Sequence, residues 1–239
     1  AAHFNRIEAV GVDAASQEIF LVDGGSRRII KWRLDRDREE PIKMDPFMAG
    51  FVRSWGYDLL GRRVVEAGGG TDVDIRDLTI RDGVLHLLDA SGPSIILADD
   101  DLDVSRVIPL PAGTRPTQIA VRPEGGWLVS DADAGRVLML DANGAIERSL
   151  GTEETGVERP FGVVASSDGR VVISDRGTDR VVTLSSDGEL ISTAGERGSW
   201  DGALWLPAGL ELLPDGGVVV LDQGNHRAQV FDPASGEWR

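Results

Sequence analysis

The chain has 239 residues, 41% of them hydrophobic, no cysteine and a formal net charge of −15. The missing cysteines exclude disulfides and thiol chemistry but leave the compartment open. The negative balance disfavours a nucleic-acid backbone, whose recognition needs clustered Lys and Arg to release counterions, and reads most simply as a solubility feature. No run of 18 apolar residues suggests a membrane span, and no segment has the pattern of a signal peptide, so an extracytoplasmic domain stays among the open localisations. Because the first residue is alanine, processing or excision from a longer protein is compatible with the sequence.

Taken in chain order, the predicted elements repeat. Ile19-Phe20-Leu21-Val22 reads as a strand ending on Asp23, with Arg28 five residues later. The same unit returns with Val84–Leu88, Asp89 and Ser94 in place of arginine, then with Trp127–Ser130, Asp131 and Arg136. It returns again with Val171–Ser174, Asp175 and Arg180, and finally with Val218–Leu221, Asp222 and Arg227. These aspartates stand 66, 42, 44 and 47 residues apart. Six residues before the aspartate comes Gln17, Gly83, Gly125, Gly169 or Gly216, a turn position where glycine tolerates positive φ. The nearly continuous apolar runs predict strands buried on both faces. A second strand follows each aspartate, as in Arg180–Leu184 and Arg227–Phe231. Another precedes each glycine, as in Ile119–Val121, Gly162–Ala165 and Gly209–Leu212, leaving room for a fourth. A repeat of about 40–45 residues holding four strands has the size of one propeller blade.

With these residues in view, the chain resembles the NHL-repeat β-propeller family. The stretch from Arg159 to Leu184, RPFGVVASSDGRVVISDRGTDRVVTL, is close to that family's consensus, as is Leu206–Asp232 with its Asn225-His226-Arg227 step. The likeness is strong over 115–232, weaker over 7–32 and 74–98, and absent over 33–73. It implies an all-β, NHL-type β-propeller of six blades, six being usual for the family, with blade motifs near 7–32, 74–110, 115–150, 159–195 and 206–239 in a single domain, 1–239. Residues 33–73 would hold a degenerate sixth blade, with strands near Val52–Tyr57 and Arg63–Ala67. The alternative is five blades plus a helical insertion capped by Asp45 and Pro46, with Phe47, Phe51, Trp55 and Leu59 on one face. The stretch from His3 to Ile7 is expected to complete the last blade, since closure removes free sheet edges.

The repeated Asp and Arg read as scaffold, because a catalytic role in every copy is implausible. His86 occupies a slot filled elsewhere by Phe20, Leu128, Val172 and Val219, so it reads as a packed core histidine, and His226 as part of the repeat. No pair among His3, His86 and His226 has metal-ligand spacing, and the ligand pattern of the family's lyases and lactonases is not matched around Glu8 or at Asn5, Asn143 and Asn225. The run Asp99-Asp100-Asp101 with Asp103 lacks the glycine and terminal glutamate of a calcium loop, and Gly68-Gly69-Gly70 lacks the lysine of a phosphate loop. We therefore expect no cofactor, metal or catalytic residue.

Ligand candidates are the departures from the repeat on loops that are free of packing constraint. At the start of the first strand the copies read Gly11, Asp77, Gln118, Gly162 and Gly209, which marks Asp77 and Gln118. Arg115 and Arg159 just upstream, and Trp200 with Trp205, would add charge and a stacking surface. The expected function is a noncatalytic scaffold or sensor module binding a protein or small molecule on one face. A metal-dependent lyase or lactonase using the axial channel is the alternative.

Overall fold

The computed structural model describes residues 4–33 and 51–239. The chain falls into two compact units, 1–113 and 114–239.

The first unit holds two four-stranded antiparallel sheets. One is formed in order by β1 (Ile7–Asp13), β2 (Glu18–Asp23), β3 (Arg28–Arg33) and β4 (Phe51–Gly56). The helix α1 (Tyr57–Glu66) follows. The other sheet comprises β5 (Ile75–Arg81), β6 (Val84–Asp89), β7 (Ser94–Ala98) and β8 (Val104–Pro109). Phe20, Val22, Ile29, Trp55, Leu78, Leu85 and Leu87 form one core with Tyr57, Leu60 and Val64 of α1. The helix buries Tyr57, Leu60, Gly61 and Val64, the i, i+3, i+4, i+7 stripe of an amphipathic helix. Gly61 is required there, since a Cβ would sit 2.6 Å from the Thr71 carbonyl oxygen. The helix stops where Gly68, at φ +89, and Gly69 turn their N–H groups back onto the carbonyls of Val65 and Val64.

The second unit holds three such sheets. They are β9 (Pro116–Val121) to β12 (Ile146–Leu150) through β10 (Trp127–Asp131) and β11 (Arg136–Leu140); β13 (Pro160–Ala165) to β16 (Leu190–Ala194) through β14 (Val171–Asp175) and β15 (Arg180–Leu184); and β17 (Pro207–Leu212) to β20 (Glu237–Trp238) through β18 (Val218–Asp222) and β19 (Arg227–Asp232). Val171 and Ile173 face a core shared with Leu128 and Val137, while Val172 between them faces Leu210, Val218 and Phe231. One strand is thus buried on both faces, the physical reason its sequence is apolar without alternation. Gly83, Gly125, Gly169 and Gly216 all have positive φ, and Gln17 takes the same conformation at φ 58 without the freedom of glycine.

Six blades are not found. The described residues form five four-stranded sheets. The stretch read as a degenerate blade instead supplies β4, the outer strand of the first sheet, and α1, so the predicted strand at Arg63–Ala67 is the end of a helix. The helix also differs from the alternative reading: Phe51 and Trp55 lie in β4, Leu59 lies in α1, and Asp45, Pro46 and Phe47 fall outside the described residues. Periodicity alone misled here, because Phe51, Trp55 and Leu59 satisfy a helical spacing across a strand-to-helix junction. The last sheet is completed by β20 on β19, while Ile7 opens β1; His3 lies outside the described residues.

The acidic turn at Asp99–Asp103 is an ionic tie. Lys31 Nζ of β3 meets Asp100 at 2.5 Å and Glu18 at 2.9 Å, Arg53 of β4 meets Asp101 at 2.9 Å, and Arg63 of α1 meets Asp103 at 2.8 Å. Lys31 and Glu18 are buried, and each is held charged by two partners, Lys31 by Glu18 and Asp100, and Glu18 by Lys31 and Arg33 at 2.6 Å.

Candidate functional site

The repeated aspartate ends the second strand of every sheet and is buried in all five copies. Its carboxylate accepts hydrogen bonds from the backbone just before the first strand of its own sheet. Asp23 takes Asn5 N and Arg6 N, each at 3.1 Å, Asp89 takes Asp74 N at 2.8 Å, and Asp131 takes Arg115 N at 3.0 Å. Asp175 takes Arg159 N at 2.8 Å and Asp222 takes Trp205 N at 2.7 Å. The carboxylate therefore clasps the incoming loop by its main chain and leaves the clasped side chain to point elsewhere.

The arginine of the repeat closes this clasp in three of its four copies. Arg28 lies 3.2 Å from Asp23, Arg136 3.1 Å from Asp131 and Arg227 2.9 Å from Asp222. In the fourth copy Thr178 Oγ1 donates to Asp175 at 2.6 Å, and Arg180 Nη2 turns to the Gly156 carbonyl oxygen at 2.7 Å. Where Ser94 replaces arginine, burial raises the pKa of Asp89 above the ordinary carboxylate value despite bonds from Asp74 and Ser91. Asp23 is buried as well, but hydrogen bonds from Arg6, Ser26, Asn5 and Arg28 outweigh that and hold its pKa low.

Among the sequence candidates, Asp77 lies half-buried in β5 opposite Leu88, in the first unit; the other five lie in the second. Gln118 in β9 is a cross-strand tie. Its Oε1 accepts from Val163 N and Leu210 N, both at 3.1 Å, and its Nε2 donates to the Leu210 carbonyl oxygen at 2.8 Å. The neighbouring glycine makes this possible, since a Cβ on Gly162 would stand 2.8 Å from Gln118 Oε1 and 2.6 Å from the Ala208 carbonyl oxygen. Replacing Gln118 by leucine should destabilise the second unit by about 2 kcal/mol, because three backbone groups lose their partner; an unchanged urea midpoint would refute this account of the amide.

Arg115 and Arg159 are both clasped through their backbones and exposed. Arg115 faces Asp133 at 3.6 Å. Trp200 is 58% exposed, lies across Gly198, and lends its carbonyl oxygen to Arg227. Trp205, 43% exposed, packs on Gly224, whose N–H donates to the Trp205 carbonyl oxygen at 2.7 Å.

Sequence reasoning missed Arg176, which stands beside Arg159, and Gln223, which meets Arg176. The position after the repeated aspartate reads Gly24, Ala90, Ala132, Arg176 and Gln223, so its last two copies break a run of small residues. That break was the available signal. Arg176 Nη2 donates to Gln223 Oε1, its guanidinium stacks on Phe161 at 4.5 Å from the ring centroid, and its N–H donates to the Arg159 carbonyl oxygen at 2.9 Å. Burial, and then the charge of Arg159, lower the pKa of Arg176, while Asp179 acts in the opposite sense. Among the described residues no group of three His, Asp or Glu side chains is placed to hold a metal ion, and no helix is long and apolar enough to cross a membrane.

No family model matches the chain. The mouse NHL repeat-containing protein 3 is 39% identical over 69 residues, 28% of this chain and 20% of that protein, and its human counterpart is 38% identical over the same length. The match thus spans about a fifth of these curated relatives. Among solved structures, a streptogramin B lyase superposes with a TM-score of 0.70 at 13% identity, covering 98% of this chain and 67% of its own. The virginiamycin B lyase of Staphylococcus aureus gives 0.68 at 14%, covering 98% and 68%, and the WD40 propeller domain of Doa1 gives 0.65 at 13%, covering 98% and 67%. Identities this low speak for the fold alone. Five four-stranded sheets, each clasped by the same buried aspartate, together with these superpositions, make this chain an all-β propeller, and over 69 residues it is similar to NHL repeat-containing proteins.

Proposed function

We propose that this propeller is a noncatalytic binding module, and that its ligand meets the second unit on the face carrying the clasped loop residues and the turns after the repeated aspartates. The observation that supports this reading is Arg159. Of the five clasped positions, Arg6 pairs with Glu8 at 2.5 Å, Asp74 with Arg76 at 2.7 Å, Arg115 faces Asp133, and Trp205 covers Gly224. The Arg159 guanidinium has no carboxylate within ion-pair distance among the described residues. Charged, exposed and positioned by its backbone, it contributes to recognition without contributing to packing. Exposed Trp205 and Leu206 extend the same face with apolar area, the usual composition of a binding patch. Neither a nucleic-acid partner nor a metal cofactor is proposed.

A thermal-shift screen of the purified chain against small anionic, neutral and peptidic compounds tests the reading. We expect hits whose stabilisation disappears in Trp205→Ala or Arg159→Ala, while variants of Asp82, in the β5–β6 turn of the first unit, leave it intact. Hits indifferent to both substitutions would move the site elsewhere. Time-dependent conversion of a hit into product would replace the binding module with an enzyme.

A further inference from the structure

We propose that Arg159 and Arg176 form an oxyanion-binding pair that takes a carboxylate or phosphate group of the ligand, with Trp205 and Leu206 beside them for its apolar part. This rests on the binding face proposed above and names the chemistry that the face selects. The starting point is charge. The chain carries 40 acidic and 25 basic residues, so most of its cations have an anion at hand. Arg159 and Arg176 do not: among the described residues neither has a carboxylate within ion-pair distance, although they are close enough for the charge of one to disfavour that of the other. Asp179, the acid whose charge acts on Arg176, accepts from Leu206 N at 2.7 Å and lies 3.9 Å from Arg197 Nε. Two like charges held together with no carboxylate within ion-pair distance among the described residues are relieved by an anion supplied from outside.

Geometry favours the same conclusion. Arg176 is already ordered, stacked on Phe161 and tied to Gln223, so little rotamer freedom remains to be lost on binding. Gln223 occupies one of its donors and leaves others for a ligand, while the guanidinium fork of Arg159 meets no hydrogen-bond partner among the described residues. Planar guanidinium groups match the paired oxygens of carboxylate and phosphate, and each such charge-assisted bond is stronger than a neutral one. The apolar side is continuous with the cationic one, because Trp205 lies on Gly224, next to Gln223 in the chain. Phe161 itself is half-buried under Arg176, which places the guanidinium over apolar surface rather than in bulk water.

The test is a titration followed in two-dimensional spectra of arginine Nε–H and tryptophan indole N–H groups. Sodium phosphate and sodium acetate serve as probes at matched ionic strength, with sodium chloride as the control. The Arg176 and Trp205 signals should move and saturate with phosphate or acetate, and not with chloride. The tighter of the two probes identifies a phosphoryl or a carboxylate ligand. In Arg159→Gln and Arg176→Gln the apparent affinity should fall at least about tenfold, the loss expected for one charge-assisted contact. Arg159 is exposed and held through its backbone, so Arg159→Gln keeps the test valid if Arg176→Gln fails to fold. Linear shifts shared with chloride, or saturable shifts with unchanged affinity in Arg159→Gln, overturn the oxyanion pair. A screening hit that moves the Trp205 indole with full affinity in Arg159→Gln overturns it too, yet leaves the binding face standing; a hit that moves neither signal overturns the face itself.

Discussion

Replacing Asp175 by alanine should destabilise the protein by about 4 kcal/mol, the cost of removing a buried carboxylate around which several donors converge. Its Oδ1 accepts from Arg159 N at 2.8 Å and Gly177 N at 3.1 Å, and its Oδ2 from Glu158 N at 3.1 Å and Thr178 Oγ1 at 2.6 Å. The carboxylate is fully buried, so water cannot take its place without opening the sheet end. Asp175→Asn should recover only part of the loss, because an amide turns two donors toward a pocket already full of donors. Urea unfolding of the three proteins measures this, and a midpoint change worth less than about 1 kcal/mol for alanine would show that the clasp is not what holds the loop. Since Asp175 also fixes the backbone of Arg159 and precedes Arg176, any folded Asp175 variant should lose anion binding more completely than Trp205→Ala.

A second large effect should come from acid. Burial lowers the pKa of His86 from 6.5 to about 4, with Arg81 adding to the effect and Asp82 opposing it. Between these values the unfolded chain binds a proton that the folded chain refuses. The contribution is fully present above about pH 6.5 and is lost as the pH falls to about 4, a difference of about 3 kcal/mol, since each pH step between the two values is worth about 1.4 kcal/mol. His86→Leu, which places in the slot the residue that Leu128 supplies in the third sheet, should therefore flatten the stability profile over that window. Parallel profiles for the two proteins between about pH 6.5 and 4.5 would show that His86 is not the group responsible. Buried Asp89 acts with the opposite sign, because its raised pKa makes ionisation above the ordinary carboxylate range unfavourable to folding.

The strands that end on the repeated aspartate were legible residue by residue. Val171–Ser174 and Val218–Leu221 became β14 and β18, each one residue longer, because a strand packed on both faces has to be apolar throughout. The turn glycines were legible for an equally local reason, since positive φ is a property of the residue itself. The number of sheets was not. Whether Phe51–Gly56 pairs with β3 or begins a new blade depends on a partner far away in the chain, and no window of sequence contains that choice. Nor does Arg180 act as a copy of Arg28, because Thr178 at hydrogen-bond distance from Asp175 leaves the guanidinium free to find Gly156.

At the candidate site, the sequence offered Arg159 only as a charge just upstream of the first-strand position, beside the departures Asp77 and Gln118. The neighbours of Arg159 were not legible, because Phe161, Arg176 and Gln223 lie in a strand and in two turns of different sheets. By itself the sequence determined the repeated unit, the apolar strands, the turn glycines and the scaffold status of the aspartates, all of which follow from local backbone freedom and two-sided burial. Only the tertiary structure decided that the described residues form five sheets, that Gln118 ties three strands together, and that Arg159 stands beside Arg176 with no carboxylate within ion-pair distance among the described residues. Those outcomes depend on which distant segments become neighbours and on which partners a charge finds there.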